Sequence, residues 1–364
     1  MSDISDIPCL SIPFKKIAMF TDIHFGKHHS SSVHNGDCLN FIKWFCERAV
    51  DEGADAIGFL GDWFETRSSI NVATLNAGDA GIEMLSQLGL PIFFIVGNHD
   101  MYHRHSRKVF STVSFRKFPN VHLISEPTWV NDSLWLPYLF EPEYDKFANA
   151  IQDASAVYGH LEFKNFFVTG YNTLMQHGPE ASRFSKPKKI FTGHFHKRQA
   201  NGNVVYIGNP FGMDFGDSGD YERGMAIYDL NTDDVRFINW DAVEAPKYLK
   251  VKLSDIIDDR WEPKPGSKIR CVADVEISYT EAQALKDEMV EVFQLREFLL
   301  EEDRSASKSL LQGEDLSEED SSFDELHSID ELVVKNLEAI PVDGSVKIDR
   351  SKLINIYTSL KLED

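Results

Sequence analysis

The sequence has few cysteines and no long apolar run, and each absence excludes a class of protein. The four cysteines are widely separated and lack the paired spacing of a disulfide framework or a zinc knuckle. No apolar stretch approaches the length needed to cross a bilayer. Near the start, Lys15 and Lys16 follow an apolar and acidic stretch, which is the wrong order for a secretory signal. We therefore expect a protein of the reducing cytoplasm with no membrane partner.

The sequence also lacks an excess of positive charge. Its formal net charge is -21, whereas proteins that coat nucleic acid normally carry a basic footprint. The deficit is uneven, because residues 296–364 hold 8 Lys and Arg against 18 Asp and Glu and so contribute -10. Net charge therefore does not exclude a nucleic-acid substrate for the rest of the chain.

Six apolar runs of strand length lead directly into turn residues. The runs are 17–20, 56–60, 92–96, 156–158, 190–192 and 204–207. Their continuous hydrophobicity is typical of strands that are covered on both faces. Apolar residues recur at helical spacing between the first three runs. The pattern predicts a β-α-β-α-β order and an α/β fold in which a β-sandwich is flanked by helices.

The character of the chain changes after residue 245. Two segments of alternating polarity and a helix with a possible capping box, Thr280 with Gln283, predict a small α+β module. The stretch 301–326 is rich in Ser, Asp and Glu, which predicts a flexible linker. Capping signals beyond it predict two short amphipathic helices, whose apolar stripes need a partner surface or must dock back on the same chain.

Five short polar clusters follow the apolar runs. They are Asp22-Ile-His24, Gly61-Asp62, Gly97-Asn98-His99-Asp100, Gly159-His160 and Gly193-His194-Phe-His196. Open α/β sheets present binding groups at the carboxyl ends of their strands, so residues far apart in sequence can meet at one rim. Carboxylate, amide and imidazole donors without cysteine are the mixture that borderline divalent metals prefer.

The residue types predict a site for two divalent metal ions. Asp22, His24 and His196 are assigned to one ion, and Asn98, His160 and His194 to the other. Asp62 is assigned as the shared ligand, because two carboxylate oxygens can bridge a pair of ions roughly 3.5 to 4 Å apart. Two such ions lower the pKa of a bound water and neutralise phosphoryl oxygens, so that hydroxide attacks phosphorus directly.

His99 is predicted to be the general acid. It neighbours a metal ligand without belonging to the ligand set, and an imidazole titrates near neutral pH, so it can protonate a leaving alkoxide. Taken singly, each cluster can equally be a turn, a helix cap or a satisfied buried group. Five glycine-associated clusters, each after a strand, favour the metal interpretation jointly.

This series of motifs resembles the calcineurin-like metallophosphoesterase superfamily, whose pattern is D-x-H, GD, GNHD, a GH and GHxH. Within it, Gly61-Asp-Trp-Phe-Glu-Thr66, Tyr206-Ile-Gly-Asn-Pro-Phe211 and Glu222-Arg-Gly224 are similar to SbcD-type DNA repair nucleases, including phage recombination subunits. One departure is visible, because some relatives have a His three positions after the bridging Asp and this chain has Glu65. The role of that histidine cannot be transferred.

The resemblance also implies a division of the chain and a set of partners. The implied parts are a metallophosphoesterase nuclease domain at 1–245, a capping domain at 246–299, an acidic flexible linker at 300–327 and a helical ATPase-binding segment at 328–364. The implied partners are DNA, the coiled coil of an SbcC-type ATPase and a second copy of the chain. The expected ion is Mn²⁺.

Basic residues near the ligand clusters are candidates for DNA contacts. They are Lys27, Arg104, Arg107, Lys108, Lys197 and Arg198. At the rim of the site they could pair with backbone phosphates without reading bases. Each cluster taken separately can also be a set of solvated loop charges.

The leading hypothesis is a metal-dependent DNA nuclease subunit, an exonuclease on duplex ends and an endonuclease on single strands, driven by an ATPase in DNA repair, recombination or replication. The alternative is a metallophosphatase or phosphodiesterase that acts on a protein or a small phosphorylated substrate, since the same metal core serves all of these. A third hypothesis makes the chain chiefly a clamp on its partner, with structural metals.

Overall fold

The computed structural model describes residues 7–168, 173–241 and 245–302. The predicted C-terminal helices, and all but the first residues of the predicted linker, lie outside the described residues. Of the helices in these ranges, none has the length and apolar character required to cross a bilayer.

The described ranges contain the following strands and helices. The strands are β1 Cys9–Leu10, β2 Lys16–Phe20, β3 Ala56–Phe59, β4 Ile92–Ile95, β5 Met101–His103, β6 Ser106–Phe110, β7 Val121–Ile124, β8 Thr128–Val130, β9 Ser133–Leu136, β10 Ala156–His160, β11 Phe167–Val168, β12 Thr173–Leu174, β13 Lys189–Gly193, β14 Gln199–Asn201, β15 Val204–Tyr206, β16 Gly224–Asp229, β17 Asp234–Asn239, β18 Lys247–Lys252, β19 Ser267–Ala273 and β20 Glu297–Glu302. The helices are α1 Lys27–Ser30, α2 Ser32–Asp51, α3 Val72–Ser86, α4 Glu141–Lys146, α5 Ala148–Asp153, α6 Leu253–Ile257 and α7 Tyr279–Glu291. The first of these, α1, is a single turn in which His28 and His29 have left-handed φ.

Two sheets form the body of the described chain. The first has the strand order β17-β16-β2-β3-β4-β7 and the second β1-β8-β9-β10-β13-β15-β14. Strands β2, β3, β4 and β7 are parallel, as are β9, β10, β13 and β15. The helix α2 connects β2 to β3, and α3 connects β3 to β4. The predicted β-α-β-α-β order is confirmed.

The two sheets pack face to face, with helices outside. In β2, Ile17 and Met19 point into the core between the sheets, whereas Phe20 points away from it. Phe20 packs at 4.6 Å between ring centroids on Phe45 of α2. Alternate residues of a strand face opposite sides, so a strand covered on both faces must be apolar throughout. The α/β sandwich flanked by helices is confirmed.

Residues 247–302 form a third, smaller sheet. Its parallel strands β18-β19-β20 are accompanied by α6 and α7, and alternate residues of β19 enter a small apolar cluster. The predicted capping box of Thr280 with Gln283 is wrong. The box is formed by Ser278 and Glu281, because α7 begins one residue before Thr280, which lies within its first turn. Arg296 joins this sheet to α2 through hydrogen bonds of 2.6 and 2.8 Å to the carboxylate of Asp37.

Candidate metal centre

The structure brings the seven predicted ligands together at one rim of the sandwich. They are Asp22, His24, Asp62 and Asn98, which follow strands of the first sheet, and His160, His194 and His196, which end or follow strands of the second sheet. Both sheets are parallel at these strands, so their carboxyl ends converge. Residues from distant parts of the chain therefore share one site.

The first predicted group consists of Asp22, His24 and His196. The Nε2 atoms of the two histidines are 3.1 Å apart. Oδ1 of Asp22 lies 3.9 Å from Nε2 of His24 and 4.0 Å from Nε2 of His196. Asp22 and His24 are buried. Three donor atoms of this spacing can hold one divalent ion.

The second predicted group is arranged around Asn98. Its Oδ1 lies 2.9 Å from Nε2 of His160 and 2.9 Å from Nδ1 of His194. Oδ2 of Asp62 lies 3.3 Å from Nε2 of His160 and 3.9 Å from Nε2 of His24. Asp62 thus faces both groups, as a shared ligand must.

The protein fixes which ring nitrogen of each histidine faces the site. The Nδ1 atom of His24 lies 2.8 Å from the carboxylate of Glu65, and Nε2 of His194 lies 3.2 Å from that of Glu162. A carboxylate on the outward nitrogen orients a ligating imidazole and raises its basicity. Sequence reasoning missed Glu162, and it named Glu65 only as a departure. Glu162 comes two residues after His160, and alternation along an extended chain was the available signal.

Asp100 is another residue whose role the sequence did not reveal. Its Oδ2 accepts hydrogen bonds from the backbone N–H of Gly97 at 2.9 Å and of Asp62 at 3.0 Å. Its Oδ1 accepts from those of Trp63 at 3.0 Å and Phe64 at 3.3 Å. The carboxylate is fully buried. It therefore ties the loop after β3 to the loop after β4 and sets the distance between their ligands.

Glycine is required where the ligand loops touch. A Cβ on Gly97 would collide with Oδ1 of Asp62, and a Cβ on Gly61 would collide with Nδ1 of His160. Both would lie well inside the 3.0 Å that Cβ atoms keep from their neighbours. The glycines of the motifs therefore serve the approach of ligands from different strands.

The backbone is strained at several predicted ligands. Asp22, His24, Asp62 and His194 have φ values of 53°, 53°, 63° and 88°. Residues with side chains rarely adopt this left-handed conformation, and such residues cluster at functional sites. A left-handed backbone conformation therefore recurs at four of the seven predicted ligands.

Burial and charge perturb the ionisable groups strongly. Burial raises the pKa of Asp22. Burial opposes ionisation of Asp62 too, yet the adjacent His160 holds the pKa of Asp62 well below its usual range. Burial lowers the pKa of His196, and the nearby His24 lowers it further. Imidazoles must be neutral to bind a metal ion, and two buried carboxylates beside neutral imidazoles need another source of positive charge. The donor set therefore fits divalent cations.

His99 lies beside both groups. Its backbone N–H donates to Oδ1 of Asp62 at 2.7 Å, and its ring packs edge-on against that of His24 at 5.0 Å between centroids. Nδ1 of His99 donates to the carbonyl oxygen of Glu65 at 2.7 Å. This hydrogen bond uses Nδ1 and not the other ring nitrogen, Nε2.

Two of the six predicted DNA contacts are engaged within the fold. Arg107 is buried, and it donates to both carboxylate oxygens of Glu143 at 2.6 and 2.7 Å and to the carbonyl of Tyr138 at 2.8 Å. Arg198 donates to Oδ1 of Asn239 at 2.7 Å. Both arginines thus make internal contacts, although Nη2 of Arg198 has no hydrogen-bond partner among the described residues. That they contact DNA stays a prediction.

The other four basic residues differ in how free they are to contact an external phosphate. Lys27 lies 3.9 Å from the carboxylate of Glu65, and the Lys197 ammonium lies 4.9 Å from the ring centroid of Phe167. Arg104 and Lys108 are exposed on the hairpin of β5 and β6. These two are the candidates best able to reach an external phosphate.

Comparison with known proteins gives a family match. The sequence model of the calcineurin-like phosphoesterase family matches residues 15–198. The chain is 29% identical over 230 residues to a protein named Exonuclease subunit 1 of Enterobacteria phage T4, a match that covers 61% of this chain and 67% of that relative.

Two solved structures were also matched. A protein of Thermus thermophilus has a TM-score of 0.40 at 13% identity, and the match covers 62% of this chain and 99% of that protein. A dimetal phosphatase from Danio rerio has a TM-score of 0.35 at 8% identity, and the match covers 60% of this chain and 93% of the phosphatase.

Proposed function

Because this chain belongs to the calcineurin-like phosphoesterase family, we propose that it is a metal-dependent nuclease subunit that hydrolyses phosphodiester bonds of DNA. The observation that carries the proposal is the pair of donor groups that share Asp62. A site for two cations is suited to in-line displacement at phosphorus, because both the attacking and the leaving oxygen need stabilisation.

The proposed cofactors are two Mn²⁺ ions. Asp22, His24 and His196 would hold one, Asn98, His160 and His194 the other, and Asp62 both. Bound divalent ions supply Lewis-acid charge and an acidified water. Imidazole, carboxylate and amide donors without thiolate favour an ion of this hardness.

We assign the general acid to His99. Its Nδ1 is held by the carbonyl oxygen of Glu65 at 2.7 Å, which fixes the ring and directs Nε2 away from that loop. A proton on Nε2 can pass to the leaving oxygen of the strand that is cut. Asp100 holds the same loop in place through its backbone hydrogen bonds.

DNA is the proposed substrate, with cutting of duplex ends and single strands. The relative with 29% identity is named an exonuclease subunit, which supports both a nucleic-acid substrate and a protein partner for this chain. We propose an SbcC-type ATPase as that partner. The proposed ATPase-binding segment is 328–364. The proposed capping domain, 246–299, would cover the nuclease domain at 1–245. Two copies of the chain would pair inside the cell.

The test is a nuclease assay with the full chain on defined duplex, hairpin and single-stranded substrates, with Mn²⁺ or Mg²⁺ and with or without the ATPase. The expected result is Mn²⁺-dependent cutting that the ATPase stimulates, and Asp62→Asn should abolish it. Turnover of a simple chromogenic phosphodiester without any cutting of DNA would reject the nuclease and favour a phosphodiesterase of small substrates. Removal of 304–364, which leaves β20 intact, should abolish only the stimulation.

A further inference from the structure

One segment of this acidic chain contains no acidic residue. Residues 101–125 contain no Asp or Glu, in a protein whose net charge is -21. The segment contains five Lys and Arg, which are Arg104, Arg107, Lys108, Arg116 and Lys117. It begins directly after Asp100, which braces the loops of the metal centre. A basic segment at this point suits a polyanion that approaches the site.

The hairpin of β5 and β6 forms the start of this segment. His103 pairs with Ser106, so that Arg104 and His105 make the turn at its tip. Tyr102 is 51% exposed although it is a large aromatic residue. Arg104 and Lys108 are exposed as well.

The hairpin is firmly held at its base. Met101 and Phe110 are buried together with Val96. The buried Arg107 fixes the second strand through Glu143 at 2.6 Å and through the carbonyl of Ser125 at 3.2 Å. Arg107, which points inward, thus fixes the strand that carries the exposed Lys108. An aromatic ring held on a rigid support loses little freedom when it binds a ligand.

We propose that this hairpin binds an unpaired DNA strand, with the ring of Tyr102 stacked on a base and with Arg104 and Lys108 contacting phosphates. The inference rests on the proposed nuclease function and adds the form of DNA that the site receives. Base faces are accessible for stacking only in unpaired strands, and stacking on aromatic rings combined with cationic contacts is how proteins bind single strands without reading sequence.

The location of the hairpin limits which nucleotides it can touch. Four residues of extended chain, from Asp100 to the tip at Arg104, span at most about 13 Å. An unpaired strand is more extended than a strand of B-form DNA, which rises about 3.4 Å per nucleotide, so that reach covers at most roughly four nucleotides. The contact therefore concerns the strand end next to the phosphate that is cut.

The experiment measures binding by fluorescence anisotropy, in the absence of divalent metal so that nothing is cut. The probes are a labelled oligo-dT strand, the same strand with abasic sites in place of its bases, and a blunt duplex. Tyr102→Ala should weaken oligo-dT binding about tenfold and leave binding of the abasic strand and the duplex unchanged. Tyr102→Phe keeps the ring and should bind like the unmodified chain.

The cations are tested by salt dependence. Arg104→Ala combined with Lys108→Ala should weaken the binding of both single-stranded probes, with and without bases. It should also reduce the slope of log affinity against log salt by about 1.4, since each phosphate contact on a single strand contributes about 0.7. Lys117→Ala is the matched control, because Lys117 lies in the same segment but is paired with Asp79 at 2.7 Å. It should change neither quantity.

The outcomes separate this inference from the proposed function. Equal loss on the oligo-dT, abasic and duplex probes with Tyr102→Ala, or no loss on any, would overturn the stacking role while DNA cutting persisted. If the unmodified chain binds none of the probes and still hydrolyses a simple phosphodiester, the DNA substrate itself is rejected, and the inference falls with it.

Discussion

The carboxylate of Glu65 lies 2.8 Å from Nδ1 of His24, on the side of the imidazole that faces away from the proposed metal centre. The opposite nitrogen, Nε2, lies 3.1 Å from Nε2 of His196. At this distance the carboxylate favours the tautomer of His24 that carries its proton on Nδ1 and leaves the inward nitrogen as a ligand. It stands at the position where the family resemblance allowed a histidine, and we expect it to position His24.

Glu65→Gln should weaken Mn²⁺ binding at the first group about 10- to 100-fold, the usual effect of removing such an outer carboxylate. The measurement is calorimetric titration of the metal-free chain with Mn²⁺. Glu162→Gln is the matched variant, because Glu162 contacts Nε2 of His194 at 3.2 Å and so supports the second group. If both variants bind two ions as tightly as the unmodified chain, neither carboxylate has the positioning role.

Gly97→Ala should abolish metal binding without unfolding the protein. The added Cβ would meet Oδ1 of Asp62, the oxygen that holds the backbone of His99. The loops of β3 and β4 would have to separate, and Asp62 would leave its shared position. Metal content after dialysis against Mn²⁺ measures the loss, and circular dichroism reports the fold.

The control for that variant is Gly36→Ala. Gly36 lies within α2 and has nothing within 4 Å of its added Cβ. Metal binding should be unchanged, and the free energy of unfolding should rise by about 0.5 to 1 kcal/mol because alanine favours the helix. Full metal content in Gly97→Ala would refute the steric argument.

His99→Ala should lower kcat about 10²- to 10⁴-fold on DNA and leave Mn²⁺ affinity unchanged, since we assign its ring to proton donation and not to metal binding. The decisive measurement compares leaving groups. The p-nitrophenolate of a p-nitrophenyl phosphodiester leaves without being protonated, so the variant should hydrolyse this substrate nearly as fast as the unmodified chain. Equal losses on both substrates would remove the general-acid role, and loss of DNA cutting with retained metal would rule out the non-enzymatic clamp.

Much of the fold was predictable because burial on both faces leaves a direct signal. The runs that became β2, β3 and β4 are apolar at every position, and their motifs stand at the carboxyl ends where parallel strands must present them. Helix α2 was equally visible in its apolar spacing, although Val50 near its end is 59% exposed.

The parts that were missed depend on contacts between distant residues. Arg107 looks like its basic neighbours in sequence, and only the inward face of β6 and the carboxylate of Glu143, 36 positions away, make it an anchor. Hydrophobic periodicity in a sequence indicates whether a position is buried, but it does not indicate which residue that position contacts. The same limit hid Asp100, whose four backbone partners come from two loops.

Glu143→Gln should destabilise the protein at neutral pH by about 3 kcal/mol, because the buried Arg107 loses its closest carboxylate and keeps only that of Glu126, at 3.5 Å. Burial would raise the pKa of Glu143, but the hydrogen bonds from Arg107 hold that pKa below its ordinary 4.5. A carboxyl with a depressed pKa stabilises the fold above its unfolded pKa and loses this contribution as the pH falls through the folded value. The loss in free energy of unfolding caused by the variant should therefore be constant from pH 8 to about pH 5 and shrink below about pH 4.5, as measured by urea unfolding.

The control is Lys117→Ala, which breaks the exposed pair with Asp79 and should lower the free energy of unfolding by under about 1 kcal/mol. A similarly small loss for Glu143→Gln at pH 7 would show that Arg107 does not anchor the hairpin.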